Sequence, residues 1–241
     1  MTKTSVDGST TRLFLKAGVA IAPWFLVLSL LQALIRPGFN LTKHELSLLL
    51  VGPFGWVQTI NFLVSGLLGI AFAVGLRRLL HSGKAGIWGP ALVGAFGFLF
   101  LIAGICHPDP QLGFPVGAPE GVPTLQSLPS NIHSIAFSAL ALAIVAAACV
   151  FVCKFAADQD RAWAIFSSVC AIAIIAFVGT GGALMPSSNG GLALLGAAIA
   201  ITGWVSVTAL HLLREGHTSA TARIQSLNEL RDPKTPRNIE R

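Results

Sequence analysis

The sequence predicts an all-α, polytopic membrane protein: a bundle of six transmembrane helices with both termini in the cytoplasm. Three observations carry this. Of 241 residues, 54% are hydrophobic and only 11% charged, with a mean hydropathy of +0.74, whereas an average soluble domain is about 25% charged. Apolar stretches long enough to span a hydrocarbon core of about 30 Å, roughly 20 residues each, recur along the chain. Basic residues gather on alternate connections between them, as cytoplasmic loops do.

Taken in order, the spans fall at about 14–35, 54–76, 86–105, 132–155, 163–184 and 191–213. Residues 14–213 form one membrane domain, preceded by a flank over 1–13 and followed by a polar tail over 214–241. None of the spans alternates apolar with polar residues, which excludes a transmembrane barrel. The first follows Lys3, Arg12 and Lys16, but its apolar run exceeds the roughly 7–15 residues of a signal peptide, so it reads as a retained helix. In the tail, Ile224, Leu227 and Leu230 could form an amphipathic turn or two. No convincing repeat relates the two halves.

Among the 16 Lys and Arg residues, only Arg36 and Lys43 lie on the side opposite the termini. A net charge of +6 therefore reflects membrane topology and not a nucleic-acid surface. The outer connections are 36–53, 106–131 and 185–190. The middle one holds Pro108, Pro110, Pro115, Pro119, Pro123 and Pro129, so it cannot be a helix. Loops this long are usually functional or disordered. The prolines favour a stiff course, as a lid over a site or as a spacer.

Candidate chemistry concentrates at these outer ends. Cys106-His107-Pro108-Asp109-Pro110 places an acid and an imidazole two residues apart at the end of the third span. Asn131, Ser134 and Ser138 share one face of the fourth helix, with His133 beside them, and Gln58, Asn61 and Ser65 repeat that spacing in the second. Two helices polar in their outer halves suggest an outward-facing pocket. Gln58, Asn61, His107, Asp109, Asn131, His133 and Ser134 are the expected ligand contacts, and Asp109 with His133 the candidate acid–base pair. The bland alternatives are interhelical hydrogen bonds for the amides and hydroxyls, and a loop-capping role for Asp109.

His107, Asp109 and His133, with His44 as a fourth, would be a nitrogen and oxygen set suited to zinc. No HExxH or HxxxH pattern supports it, so no metal and no cofactor is assigned. Thr42-Lys43-His44-Glu45 reads as a capping box opening a short interfacial helix, and Trp56 as an interface anchor. Cys149, Cys153 and Cys170 read as buried packing, and His81, His211 and His217 as interfacial. Small residues at four-residue spacing (Ala139, Ala143 and Ala147; Gly179 and Ala183; Gly196 and Ala200) read as close helix contacts. No P-loop, dinucleotide fingerprint or GxSxG is present.

Gly104-Ile105-Cys106-His107-Pro108-Asp109-Pro110, the Pro/Gly-rich stretch after it and His133 opening a helix resemble the membrane family called domain of unknown function 998. That family looks like a G-[IV]-F-x-x-D-P motif followed by a distant His. Leu46-Ser47-Leu48 and the Gly66–Gly75 helix also look similar, and the resemblance spans roughly residues 20–210. Asp109 and His133 match; Cys106 and His107 depart from the pattern. The resemblance implies a six-helix bacterial inner-membrane protein and brings no activity with it.

Three functions follow from these residues. The first is a binding or transport-type protein whose partners are the bilayer and a lipid-like small molecule. The second is an intramembrane enzyme acting on lipid or isoprenoid substrates, with a metal-dependent hydrolase as a subcase. The third is a structural or accessory subunit.

Overall fold

The computed structural model describes residues 4–80, 83–185 and 189–231, with side chains over 8–80, 83–185 and 189–215. Six long helices follow one another: α1 (Thr4–Ile35), α2 (Gly55–Leu79), α3 (Gly83–Ile105), α4 (Leu128–Ala157), α5 (Arg161–Leu184) and α6 (Gly191–Arg231). A short 3-10 helix, η1 (Leu46–Leu50), lies between α1 and α2. All six long helices have the length and apolarity to cross a membrane. Among the described residues no strand forms beyond one isolated bridge, Gln111 with Phe114. The protein is a multi-pass integral membrane protein. His81 lies outside the described residues, as do the side chains of His217, Ile224, Leu227 and Leu230.

Each helix packs on the next in the chain, and α6 returns to α1, closing a ring. Small residues set the tightest contacts. A Cβ on Gly97 of α3 would lie 2.7 Å from the Gly66 carbonyl oxygen of α2, and one on Gly18 of α1 would lie 2.7 Å from the Ala209 Cβ of α6. Backbones this close gain dispersion contacts that larger residues would forbid. Ser206 of α6 enters a gap in α1: its Oγ donates to the Gly18 carbonyl (3.0 Å) and accepts from the Ala22 amide (2.9 Å). The next residue, Pro23, has no amide to donate, so α1 is already loosened at this level.

The ring is filled by aromatic side chains. Phe25, Phe62 and Phe100 meet with centroids 5.0–5.3 Å apart. Nearer the termini, Phe151 packs against Trp204, whose Nε1 donates to Ser167. Outward-pointing apolar residues such as Leu34, Ile87, Phe98, Leu142 and Ile172 face lipid.

Several local expectations are corrected. The fourth helix begins at Leu128, not at 132, because Ser127 caps it and Pro129 sits in the first turn, where its missing amide costs nothing. Helices α1 and α6 run beyond the expected flank and tail boundaries, to Thr4 and Arg231, since a helix once nucleated extends at little cost. The Thr42 capping box does not form: Asn40 Oδ1 takes both the amide and the hydroxyl of Thr42, and Glu45 precedes η1 without a side-chain cap bond. Cys149 and Cys153 are exposed on the lipid face of α4. Gly179 and Ala183 are exposed too, and nothing lies within 4 Å of a Cβ on Gly179. That face of α5 is open, not packed.

The proline-rich 106–127 loop follows a defined course. Leu112 and Gly113 adopt φ of 57° and 79°, the pair of left-handed residues a tight hairpin turn requires, and Gln111 and Phe114 exchange backbone hydrogen bonds around them. Leu112 and Phe114 are both 1% exposed, which offsets the strain of a left-handed leucine. The loop packs on the 36–54 connection. Arg36 stacks over the Phe114 ring and donates to the carbonyls of Leu49 and Val51 at 2.6 Å each.

Candidate functional site

The polar stripe of α2 turns toward α1. Gln58 Oε1 accepts from Gln32 (2.6 Å), and its Nε2 donates to Ser29 Oγ (2.9 Å) and the Leu46 carbonyl (3.2 Å). Asn61 Nδ2 donates to the Phe25 carbonyl, Ser29 Oγ and Gln58 Oε1 at 3.0–3.1 Å. Gln58, Asn61 and Ser65 are all 0% exposed. The amides therefore join α1, α2 and η1.

Asp109 anchors the start of α4. Its Oδ1 accepts from Ser127 Oγ at 2.6 Å and its Oδ2 from the Ser127 amide at 2.7 Å. Asn131 donates to the carbonyls of Gln126 and Ser127 at the same helix start. His107 Nε2 lies 3.2 Å from Thr59 Oγ1, beside a shallow open groove with Trp56 and Pro110.

His133 and Ser134 face elsewhere. Opposite the termini end, a cavity of about 220 Å³ opens among α4, α5, α6 and η1. Phe25, Phe62 and Phe100 form its apolar wall, with Phe137, Val178, Met185 and Leu194. Its polar lining is Glu45, Ser47, His133, Ser134, Ser138 and Thr202. Of the expected contacts, His133 and Ser134 are brought together here; Gln58, Asn61, His107, Asp109 and Asn131 are not among the lining residues. No residue of the 106–127 loop lines the cavity either, so that loop covers the 36–54 connection and not this space. Glu45 and Thr202 were missed. Glu45 is disguised by the capping-box pattern, and Thr202 is one threonine in an apolar run.

The helices explain the arrangement. His133, in the second turn of α4, lies with Nδ1 2.8 Å from the carbonyl oxygens of Ala103 and Cys106, two of the unpaired carbonyls at the end of α3. Carbonyls only accept, so in the neutral ring Nδ1 carries the proton and Nε2 keeps a lone pair. On the α4 edge of the cavity Ser134 and Ser138 are exposed; on the α5 edge Gly182 is exposed, with nothing within 4 Å of a Cβ placed there. The cavity thus has an opening on the side of the bundle.

Burial pushes the Glu45 carboxyl above the usual carboxylate range, partly offset by a hydrogen bond with Ser47. His44 next to it is 2% exposed and turned away: Nδ1 accepts from the Asn40 amide and Nε2 reaches the Leu112 carbonyl, each at 2.9 Å. Burial lowers its pKa. Lys43 extends toward Glu120, 3.6 Å away.

A family model described as "Protein of unknown function (DUF998)" matches residues 19–211. The chain belongs to the DUF998 family. No curated protein and no solved structure matches it. The DUF998 match takes in every residue lining the cavity, from Phe25 to Thr202, together with both loops at that end. Residues 1–18 and 212–241 lie outside the match; among the described residues these are the beginning of α1 and the end of α6. The DUF998 description states no activity.

Proposed function

We propose that this DUF998 protein is a membrane-embedded binding protein of the transport type, whose cavity takes a small amphipathic or lipid-like molecule from the side. The observation that carries this reading is the cavity's two-part lining: carboxyl, imidazole and hydroxyl groups on part of its wall, aromatic and aliphatic side chains over the rest, open between Ser138 of α4 and Gly182 of α5. Pockets that orient a ligand combine a mostly apolar wall with a few placed polar groups. A volume of about 220 Å³ suits a head group and the start of a chain, the remainder lying along the outer face of α5. The charge asymmetry of the loops supports cytoplasmic termini, with the cavity in the outer leaflet of a bacterial inner membrane. Asp109 serves this reading indirectly, by fixing the start of the helix that carries His133 and Ser134.

Gly182→Phe tests it. A Cβ at Gly182 meets nothing within 4 Å, so the variant should fold, yet its ring would stand in the opening. Native mass spectrometry of protein extracted in mild detergent should find a copurified lipid-like molecule on the wild type and far less on Gly182→Phe at equal thermal stability. A wild type that retains nothing, or a variant that retains as much, overturns the reading.

A further inference from the structure

We infer that the head group taken by the cavity is a cationic hydrogen-bond donor, an ammonium group at the end of an alkyl chain. The inference rests on the reading of the cavity as a ligand site and concerns which ligands it accepts.

The hydroxyl and imidazole protons of the lining are already committed elsewhere. Ser134 Oγ donates to the Ser130 carbonyl at 3.0 Å, Ser138 Oγ to the Ser134 carbonyl at 2.9 Å, and Thr202 Oγ1 to the Ala198 carbonyl at 2.7 Å. Each hydroxyl has one proton, and each has placed it on its own helix four residues back. What they present to the cavity is lone pairs. His133 has its Nδ1 proton between the carbonyls of Ala103 and Cys106, which leaves the Nε2 lone pair. Ser47 is hydrogen-bonded to the Glu45 carboxyl. Two helices, α4 and α6, and the η1 segment thus offer acceptors to one small space.

Charge points the same way. Among the described residues that line the cavity, Glu45 is the only acidic one and none is Lys or Arg. The two basic residues of the same connection are engaged elsewhere, Arg36 with the carbonyls of Leu49 and Val51 and Lys43 with Glu120. Among apolar neighbours a carboxylate without an opposite charge is costly, and burial indeed raises the Glu45 pKa. An ammonium head removes that cost and supplies three donors. A phosphate, sulfate or carboxylate head would meet lone pairs and a like charge, and a hydroxyl head would satisfy the oxygens but not the charge.

Three probes with one chain and different heads separate the classes: hexadecylamine, hexadecanol and hexadecyl sulfate, each at trace level in neutral maltoside micelles with the full chain. Wild type should retain the amine better than the other two by about tenfold or more, the scale of one charge-assisted hydrogen bond. Glu45→Gln should bring the amine down to the level of the alcohol and leave the alcohol unchanged. Thr202→Val, which removes one acceptor far from Glu45 in sequence, should weaken the amine several-fold. Alcohol or sulfate retained as well as the amine overturns the head-group assignment, and so does an amine preference that persists in Glu45→Gln. Should Gly182→Phe still abolish alcohol retention in that case, the cavity stands as a ligand site and only its selectivity is wrong. If wild type retains none of the three, both fall.

Discussion

His44 ties the two loops at the cavity end of the bundle to each other: its Nε2 lies 2.9 Å from the carbonyl of Leu112, 68 residues along the chain, while its Nδ1 accepts from the Asn40 amide. Since the Leu112 carbonyl can only accept, Nε2 carries the proton and the ring is held neutral. A second proton would point Nδ1–H at the Asn40 N–H.

That geometry has a pH consequence with a definite sign. Burial, reinforced by the nearby Lys43 charge, lowers the pKa of His44; its bond to Leu112 and the Glu120 carboxylate oppose the shift without cancelling it. The folded state therefore takes up a proton less readily than the unfolded chain. The contribution is complete above the unfolded value of about 6.5 and is lost as pH falls below it toward the folded pKa. Melting temperature in detergent should drop from about pH 8 to about pH 5, and His44→Gln should flatten part of that slope. An unchanged slope in the variant would show that His44 is not the titrating group.

Asp109→Ala should act on folding and not on the ligand. It removes two bonds to Ser127, the residue that caps α4, at a cost of about 1–2 kcal/mol for partly exposed groups. The expected result is lower yield and a lower melting temperature, with probe retention per folded molecule unchanged. Retention lost at full stability would mean that Asp109 reaches the ligand.

Gln58→Leu should be the more damaging change. Gln32, Ser29 and Asn61 all bond to Gln58 or share its partners, and all are buried, so deleting one amide strands several polar groups. We expect a loss of about 1–3 kcal/mol, read as a fall in unfolding midpoint. A midpoint within error of wild type would show that the cluster is not what holds α1 to α2.

Much of this architecture was legible from hydropathy, because a span of lipid-compatible length leaves little else for the chain to be. The polar faces of α2 and α4 were legible for the same kind of reason: spacing of three, four and seven reveals a shared face. Which neighbour a face meets is a property of the ring, and no spacing in α2 says that Gln58 and Asn61 turn to α1 while His133 and Ser134 of α4 turn to open space. Glu45 was hidden by a local pattern that fits a cap; Asn40, two residues before Thr42, captured the threonine first. Thr202 carries no signal in its own segment. It matters only because α6 comes round to face α4.

The order of neighbours in the bundle is the order of synthesis. Every helix after α1 finds a partner already in the membrane when it arrives, while α1, joined early by α2, gains its second neighbour only with α6. Until then the Gly18 carbonyl and the Ala22 amide, later bridged by Ser206, have no hydroxyl between them, and Thr202 is absent from the cavity. A chain cut short before the last span therefore leaves the flanks of α1 and α5 without their shared neighbour and the cavity without the wall that Leu194, Ala198, Ile201 and Thr202 supply.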